Sequence, residues 1–292
     1  MKIAFAFTLF FAAFGQNIIT VAPKNSVPRK ANLRVDRIMV LVPATVTDIH
    51  DHPVLNLTGD KFRISENGVE QMVVSASVED GPISFGIVFD GSGSMKGPRI
   101  ASARMAVDAL LEGAIEGDEF LLAFFNDRPS LLCGFTPNPS DIFSRLSFVQ
   151  PVGWTSLNDA LILAAARMKN ARNRRVLFVV SDGGDNNSRY DDNETFKILL
   201  ESDVAVYTLG ILTKQKLLQR LADGTGGVVS MVRSLGDVAP AANRLARIMR
   251  NRYFLGYYPR LPNDGRWRKI KVSIPSNPDL IIRARSGYWS PE

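Results

Sequence analysis

The pattern of apolar and polar positions changes character twice along the chain. Between Leu33 and Val78, short segments mix β-branched and alternating residues and are separated by turn residues, as antiparallel strands are. From Ile83 to Arg250, compact apolar runs alternate with segments whose apolar residues recur at helical spacing. After Arg250 the helical spacing stops and strand-like segments return. The pattern therefore predicts an α/β block between two β flanks.

Uninterrupted apolar runs in the central block predict buried strands. These strands are expected at 83–89, 120–125, 175–181, 204–211 and 227–232. Helices are expected at about 100–114, 157–168 and 238–248. Because strands and helices alternate, the predicted fold class is α/β, with a doubly wound, mostly parallel sheet that helices cover on both faces.

Each of the two β flanks is too short to form a stable domain alone. The simplest arrangement is that they pair with each other and form one β module into which the α/β domain is inserted. The predicted organisation is a signal peptide at 1–15, a linker at 16–32, the first part of the β module at 33–80, the α/β domain at 81–250 and the second part of the β module at 251–292.

The N-terminus has the three parts of a secretory signal. Lys2 is followed by an uncharged apolar run to Phe14, and Ala13 and Gly15 supply small residues at the spacing a signal peptidase prefers. The run is about half of the roughly 20 residues that span a bilayer. We expect an exported protein, periplasmic or secreted, without a transmembrane segment once the signal is removed. A buried N-terminal helix, or a signal kept as an anchor, remains an alternative.

Composition narrows the possible chemistry. The 292 residues are 46% hydrophobic and 22% charged, which is typical of globular proteins. Cys133 is the single cysteine, and His50 and His52 are the two histidines, so a disulfide within the chain and a three-histidine metal site are excluded. The net charge of +6 is a mild excess of basic over acidic residues. Basic residues near the C-terminus alternate along strands, which favours solvated faces, so no nucleic-acid partner is expected.

Oxygen-bearing side chains follow the predicted strands and precede a predicted helix. Asp90, Ser92 and Ser94 come directly after the first central strand, Thr155 enters a helix, and Asp182 leaves another apolar strand. In open α/β sheets, ligands bind beyond the C-terminal ends of the strands. Two carboxylates and three hydroxyls form an all-oxygen set, which hard divalent cations such as Mg²⁺ prefer.

In this order, these residues resemble the metal-ion-dependent adhesion site of von Willebrand factor type A (VWA) domains, over about 83–250. The segments 254–259 (FLGYYP) and 285–288 (RSGY) resemble a bacterial subgroup of exported proteins with this domain. The resemblance implies one Mg²⁺ or Mn²⁺, bound directly by Ser92, Ser94 and Thr155 and mainly through waters by Asp90 and Asp182. The family commonly has a small residue next to the threonine, where this chain has a bulky tryptophan.

The resemblance also implies recognition rather than turnover. With few anionic ligands, the ion would accept an Asp or Glu carboxylate from a protein partner, so we expect a binding module and not an enzyme. A structural envelope protein with an ion site but no partner is an alternative. A metal-assisted hydrolase is disfavoured, because the chain has no Gly-x-Ser-x-Gly elbow, no phosphate-binding loop pattern and no histidine near the site. The partner and the oligomeric state stay open.

Polar residues beside the site have structural interpretations as well. Ser156 and Asp159 are spaced as the cap and third residue of a helix, which favours a capping arrangement over support of the metal. Asp185, Asp191 and Asp192 follow Asp182 and are expected to form a solvated acidic loop rather than to modulate the ion.

Overall fold

The computed structural model describes residues 38–291. The predicted signal peptide and linker, at 1–15 and 16–32, lie outside the described residues. In the described part of the chain, no helix has the length and apolar character needed to cross a membrane.

Between residues 38 and 291 the chain forms three sheets and six α-helices. The strands are β1 (Val40–Thr47), β2 (Arg63–Glu66), β3 (Val69–Gln71), β4 (Val73–Glu79), β5 (Ile83–Asp90), β6 (Glu119–Phe125), β7 (Pro129–Thr136), β8 (Arg174–Ser181), β9 (Ala205–Ile211), β10 (Val229–Val232), β11 (Arg252–Tyr257), β12 (Trp267–Ser273), β13 (Ile281–Ala284) and β14 (Gly287–Trp289). The α-helices are α1 (Pro98–Leu111), α2 (Pro139–Ser147), α3 (Leu157–Met168), α4 (Asp192–Glu201), α5 (Lys216–Thr225) and α6 (Val238–Arg250).

The central sheet has the order β10-β9-β8-β5-β6-β7. All neighbours are parallel except β7, which pairs antiparallel with β6 at one edge. Helices α1, α2 and α6 pack on one face and α3, α4 and α5 on the other, so β5 and β9 are buried along their whole length. The predicted fold class, a mostly parallel doubly wound sheet, is confirmed.

Strand β7 was not predicted; it lies at the edge of the sheet and most of its residues are only partly buried. Cys133 lies on this edge strand and is only partly buried. Helices α2, α4 and α5 were also not predicted, although α2 begins with an Asn-Pro cap and α4 with a capping box.

Both flanks contribute strands to two further four-stranded antiparallel sheets. One has the order β13-β1-β11-β4, and the other has the order β14-β12-β2-β3. Strand β11 lies between β1 and β4, with Val42 opposite Leu255 and Ala76 opposite the same Leu255 on the other side. We therefore propose that the two flanks form one β module, because neither flank can complete a sheet without the other.

A buried polar network crosses the core of the β module. Glu66 is fully buried, and its Oε2 accepts hydrogen bonds from the hydroxyls of Tyr257 at 2.6 Å and Tyr288 at 3.1 Å. Arg268 Nε lies 3.8 Å from Glu66 Oε1. Burial is the main cause that raises the pKa of Tyr257, and it raises the pKa of Tyr288 to about 12. The network joins β2, β11, β12 and β14 through one carboxylate.

The β module contacts the α/β domain at the C-terminal end of α5. Gly226 ends this helix with φ +77, and a Cβ there would lie 2.5 Å from the backbone nitrogen of Arg285. Ser286 N donates to Gly224 O at 2.9 Å. Glycine is required at 226 both for the left-handed conformation and for this close approach.

Candidate metal centre

Asp90 is the last residue of β5 and is fully buried at the C-terminal edge of the central sheet. Its Oδ1 accepts a hydrogen bond from Ser92 N at 2.8 Å, and its Oδ2 accepts one from Ser181 Oγ at 2.5 Å. Burial raises the pKa of this carboxyl, the bonds from Ser181 and Ser92 oppose that shift, and the charge of Asp182 adds to it. A cation next to Asp90 would offset the cost of burying its charge.

The loop after β5 brings two hydroxyls together. Ser92 Oγ and Ser94 Oγ lie 3.0 Å apart. Gly91 has no room for a side chain, because a Cβ there would collide with the ring of Phe124. Ser92 is buried and Ser94 is exposed, so the pair runs from the sheet edge to the surface.

Asp182, which follows β8, is held from two sides. Its Oδ1 accepts a hydrogen bond from Ser94 Oγ at 2.7 Å, and its Oδ2 accepts one from Arg99 Nη1 at 2.8 Å. Arg99 Nη1 also donates to the carbonyl of Ser94 at 3.0 Å. The sequence analysis missed Arg99, because a basic residue in the first turn of α1 resembles any exposed helix position. Its charge lies beside the carboxylate on which the candidate cation depends.

Thr155 lies on the neighbouring loop and is 5% exposed. Two backbone bonds join this loop to the one after β5: Val152 N donates to Gly91 O and Gly93 N donates to Gly153 O, each at 2.9 Å. Direct hydrogen bonds thus link Asp90, Ser92, Ser94 and Asp182 in sequence, whereas Thr155 is brought beside them by its backbone. Among the described residues, no hydrogen bond joins the Thr155 hydroxyl to these four side chains.

Asp127, which follows β6, fixes the loop that precedes Thr155. Its Oδ1 accepts a hydrogen bond from Trp154 N at 2.7 Å, and a Cβ on Gly153 would lie 2.5 Å from its carboxylate. Asn187 Nδ2 donates to Asp127 O at 2.7 Å. The backbone of Trp154 is therefore held while its side chain is 64% exposed, which puts an aromatic surface beside the candidate centre.

The predicted capping arrangement at α3 is wrong. Ser156 is the cap residue, but its hydroxyl makes no capping hydrogen bond and has no partner among the described residues. Asp159 Oδ1 instead accepts bonds from the backbone nitrogens of Arg189 at 2.9 Å and Tyr190 at 3.3 Å. The loop after β8 competes successfully for this carboxylate, since it packs against the start of α3.

The expectation of a solvated acidic loop after Asp182 is confirmed for Asp191 and Asp192, which are exposed, but is wrong for Asp185, which is partly buried. Asp185 Oδ2 accepts a hydrogen bond from Asn158 N at 2.7 Å, and Asp192 Oδ1 accepts one from Asn158 Nδ2 at 2.9 Å. Asp191 caps α4, with Glu194 completing the capping box. These carboxylates serve backbone and amide donors, so they anchor the loop to α3 and α4.

The residues at this edge fit a hard divalent cation. The set consists of two carboxylates and three hydroxyls, all oxygen ligands. Within 38–291, no three His, Cys, Asp or Glu side chains cluster as a metal site, so an ion here depends on the serine and threonine hydroxyls. Asp90 has no basic side chain within ion-pair distance in the described part of the chain, although it is fully buried.

The doubly wound sheet, with this oxygen set at its C-terminal edge, has the arrangement that the resemblance to VWA domains implies. Residues 85–184 match the family model described as the von Willebrand factor type A domain. This segment of the chain is thus similar to VWA domains. The matched segment contains all five candidate ligands.

Two curated relatives are similar over the central part of the chain. Inter-alpha-trypsin inhibitor heavy chain H4 from Homo sapiens is 25% identical over 171 residues, and the match covers 52% of this chain and 18% of that protein. The same protein from Bos taurus is 27% identical over 126 residues, with 41% and 14% covered. The chain therefore spans less than a fifth of the length of these curated relatives.

Solved structures show the same fold at low identity. A von Willebrand factor type A structure from Catenulispora acidiphila has a TM-score of 0.54 at 10% identity and covers 88% of this chain and 74% of its own. Proximal thread matrix protein 1 from the mussel byssus, with a zinc-occupied MIDAS motif, has a TM-score of 0.51 at 17% identity and covers 63% and 49%. The first likeness extends beyond the central sheet into the flanks.

Proposed function

We propose that this protein is an exported, metal-ion-dependent binding module that captures a protein partner through an Asp or Glu of that partner. Ser92, Ser94 and Thr155 would bind one Mg²⁺ or Mn²⁺ directly, with Asp90 and Asp182 in support. The observation that carries the proposal is the hydrogen-bonded series in which Ser92 Oγ contacts Ser94 Oγ and Ser94 Oγ donates to the Asp182 carboxylate at an exposed sheet edge.

The charge at this edge favours an outside carboxylate. Hydroxyls leave a bound cation more positive than carboxylates do, and Arg99 already takes part of the negative charge of Asp182. Ser94 is exposed, so a position of the ion that faces it is open to solvent and to a partner. Because the partner would complete the coordination, metal and partner should strengthen each other's binding by the same factor.

Binding is favoured over catalysis by the positions of the candidate bases. His50 and His52 lie at a turn of the β module after β1, where their backbone nitrogens both donate to Asp48. The candidate centre offers hydroxyls whose neighbours are carboxylates and one guanidinium, which is a set for holding a cation. A structural envelope protein that binds the ion without a partner is the second candidate, and export itself rests on the pattern of 1–15.

The test is calorimetry with Mg²⁺, Mn²⁺ and Ca²⁺ on the wild type, on Asp90→Ala and on Asp223→Ala, which removes an exposed carboxylate of α5. We expect Asp90→Ala to lose divalent-ion binding and Asp223→Ala to keep it. Partner capture from the native source, with and without chelator, then separates a binding module from a structural protein. Equal ion affinity of the wild type and Asp90→Ala would refute the site.

A further inference from the structure

We propose a second binding site in this protein, for a phosphate or phosphomonoester, in the arginine-lined cavity between the α/β domain and the β module. Arg174 begins β8 and Arg252 begins β11. Because the candidate metal centre lies at the C-terminal edge of the central sheet, Arg174 lies at the opposite edge. The proposal is independent of the proposed function.

Two guanidinium groups lining this cavity have buried nitrogens without partners among the described residues. Arg252 is 2% exposed; its Nη2 donates to Gly226 O at 3.3 Å, but its Nε is buried and has no partner. Arg174 has both Nη1 and Nη2 buried without a hydrogen bond to any residue that the structure describes. The nearby Tyr207 is fully buried, and its hydroxyl also has no partner. Buried donors of this kind are rare in native proteins, and an unpaired buried charge is costly.

The surrounding charges do not neutralise these two arginines. Arg285 is already paired with Asp203, with Nη1 2.6 Å from Oδ1. Glu79 is opposite Arg252 in the strand register, but its side chain is exposed and makes no ion pair within the described residues. Burial, followed by the charge of Arg252, lowers the pKa of Arg174 to about 10. The cavity thus holds two positive charges that form no ion pair with a carboxylate within 38–291, although Glu79 also lines the cavity and its charge partly offsets that of Arg174.

The cavity is large enough for a small ligand. Its volume is about 500 Å³, and Arg172, Arg175 and Phe254 also line it. Ligand sites in proteins generally occupy 300–1,000 Å³, roughly, so the space accommodates an oxyanion with a small organic group attached. The apolar Phe254 would contact such a group rather than the anion.

The chemistry of the donors favours a tetrahedral oxyanion over water or a lone carboxylate. Water can accept from an orphaned N–H group, but it does not neutralise a buried charge. A carboxylate pairs bidentately with one guanidinium, whereas a phosphate group has enough oxygens to accept from Arg174 and Arg252 together. A phosphomonoester carries close to two negative charges at neutral pH, which matches the two unpaired arginines.

The test is thermal unfolding of the full chain against increasing inorganic phosphate or glycerol 3-phosphate, at constant ionic strength set with sodium chloride. Chelator is present throughout, so that phosphate held by a metal ion does not contribute. We expect a saturable rise in Tm, because a ligand at about 100 times its Kd shifts the unfolding equilibrium about 100-fold. A larger effect of glycerol 3-phosphate than of phosphate would identify a phosphomonoester; the reverse would identify the free ion.

Three variants assign the effect to the cavity. Arg174→Gln and Arg252→Gln should lose the phosphate-dependent shift, whereas Arg172→Gln, which removes an exposed arginine at the same cavity, should keep it. Arg174→Gln should also unfold no earlier than the wild type without phosphate, because it removes a buried, unpaired charge. This second readout keeps the test decisive if Arg252→Gln does not fold. An equal shift with acetate, or an unchanged phosphate response in Arg174→Gln, would overturn the proposal.

Discussion

Two fully buried carboxylates, Asp90 in the α/β domain and Glu66 in the β module, have opposite surroundings. Glu66 accepts from two tyrosine hydroxyls and has Arg268 Nε 3.8 Å away, so its charge is compensated within the chain. Asp90 accepts from a hydroxyl and a backbone nitrogen and has no basic partner in the described residues. The compensated carboxylate holds strands together, whereas the uncompensated one is suited to an ion from outside.

The same comparison applies to positive charge. Arg268 is buried, but it bonds to Asp264 at 2.7 Å and also faces Glu66. Arg174 and Arg252 are buried without such partners. Thus each candidate ligand site contains buried charged groups that no oppositely charged side chain of the described residues neutralises. The site at Asp90 suits a cation, and the site at Arg174 and Arg252 suits an anion. We therefore expect the compensated groups to stabilise the fold and the uncompensated groups to bind ligands.

The largest effect is expected from truncation after Arg250, which removes β11 to β14. Strands β1 and β4 would lose their shared neighbour, and Glu66 would lose both tyrosines and Arg268. We expect complete loss of amide protection in residues 40–79, measured by hydrogen exchange, because the exposed edges and the buried charge are both left unpaired. Unchanged exchange in 40–79 would show that the first flank folds alone.

The surroundings of Asp90 and of Glu66 also differ in how well the sequence predicts them. The meeting of Asp90, Ser92, Ser94 and Asp182 at one sheet edge was predictable, because these residues follow apolar runs that identify their strands. The fold class was predictable for the same reason. That these four residues bind a metal ion stays a prediction. Glu66 gave no comparable signal, since its partners are about 190 to 220 residues away and no local pattern links them.

Local competition explains the errors close to the candidate centre. Asp159 has the right spacing for a capping box, but backbone donors from residues 189 and 190 take its carboxylate. Arg99 occupies a helix position that its neighbours in sequence do not distinguish, and only the fold brings it to Asp182. Likewise, nothing local relates Arg174 to Arg252, because one begins a strand of the central sheet and the other begins a strand of the β module.

The Tyr257→Phe variant tests how much the hydrogen bonds to the buried Glu66 carboxylate stabilise the fold. This change removes the 2.6 Å hydrogen bond to Glu66 and leaves a buried acceptor short of a donor, which should cost about 1–3 kcal/mol of unfolding free energy. Tyr288→Phe is the matched control; it removes the longer 3.1 Å bond from a less buried residue and should cost less. Both variants should bind divalent ions as the wild type does. The measurement is urea unfolding. An equal loss of unfolding free energy in the two variants would contradict this ranking.

A smaller effect should appear at alkaline pH. The pKa of Tyr288 is raised from 10.0 to about 12 in the folded protein, so its contribution to stability is complete below pH 10 and is lost as pH rises towards 12. The difference in unfolding free energy between the wild type and Tyr288→Phe should therefore shrink across this interval. Arg174 also titrates in this interval, because its pKa is lowered to about 10, and its effect on stability has the opposite sign. This effect is the same in both proteins and cancels when their unfolding free energies are subtracted. A constant difference from pH 9 to 12 would refute the assignment.

The smallest effect concerns Arg99, whose guanidinium lies beside the candidate metal centre. Its Nη1 bonds to Asp182 Oδ2, and its side chain is partly exposed, so solvent screens its repulsion of a bound cation. Removing about 1 kcal/mol of repulsion in Arg99→Gln should tighten Mg²⁺ binding about fivefold. Arg99→Lys keeps the charge and should bind as the wild type does. Because the effect is electrostatic and near the surface, the difference between the two variants should shrink as salt increases in the calorimetry. Weaker binding by Arg99→Gln than by both the wild type and Arg99→Lys would instead show that Arg99 acts by orienting Asp182, and that this edge is also partly compensated from within.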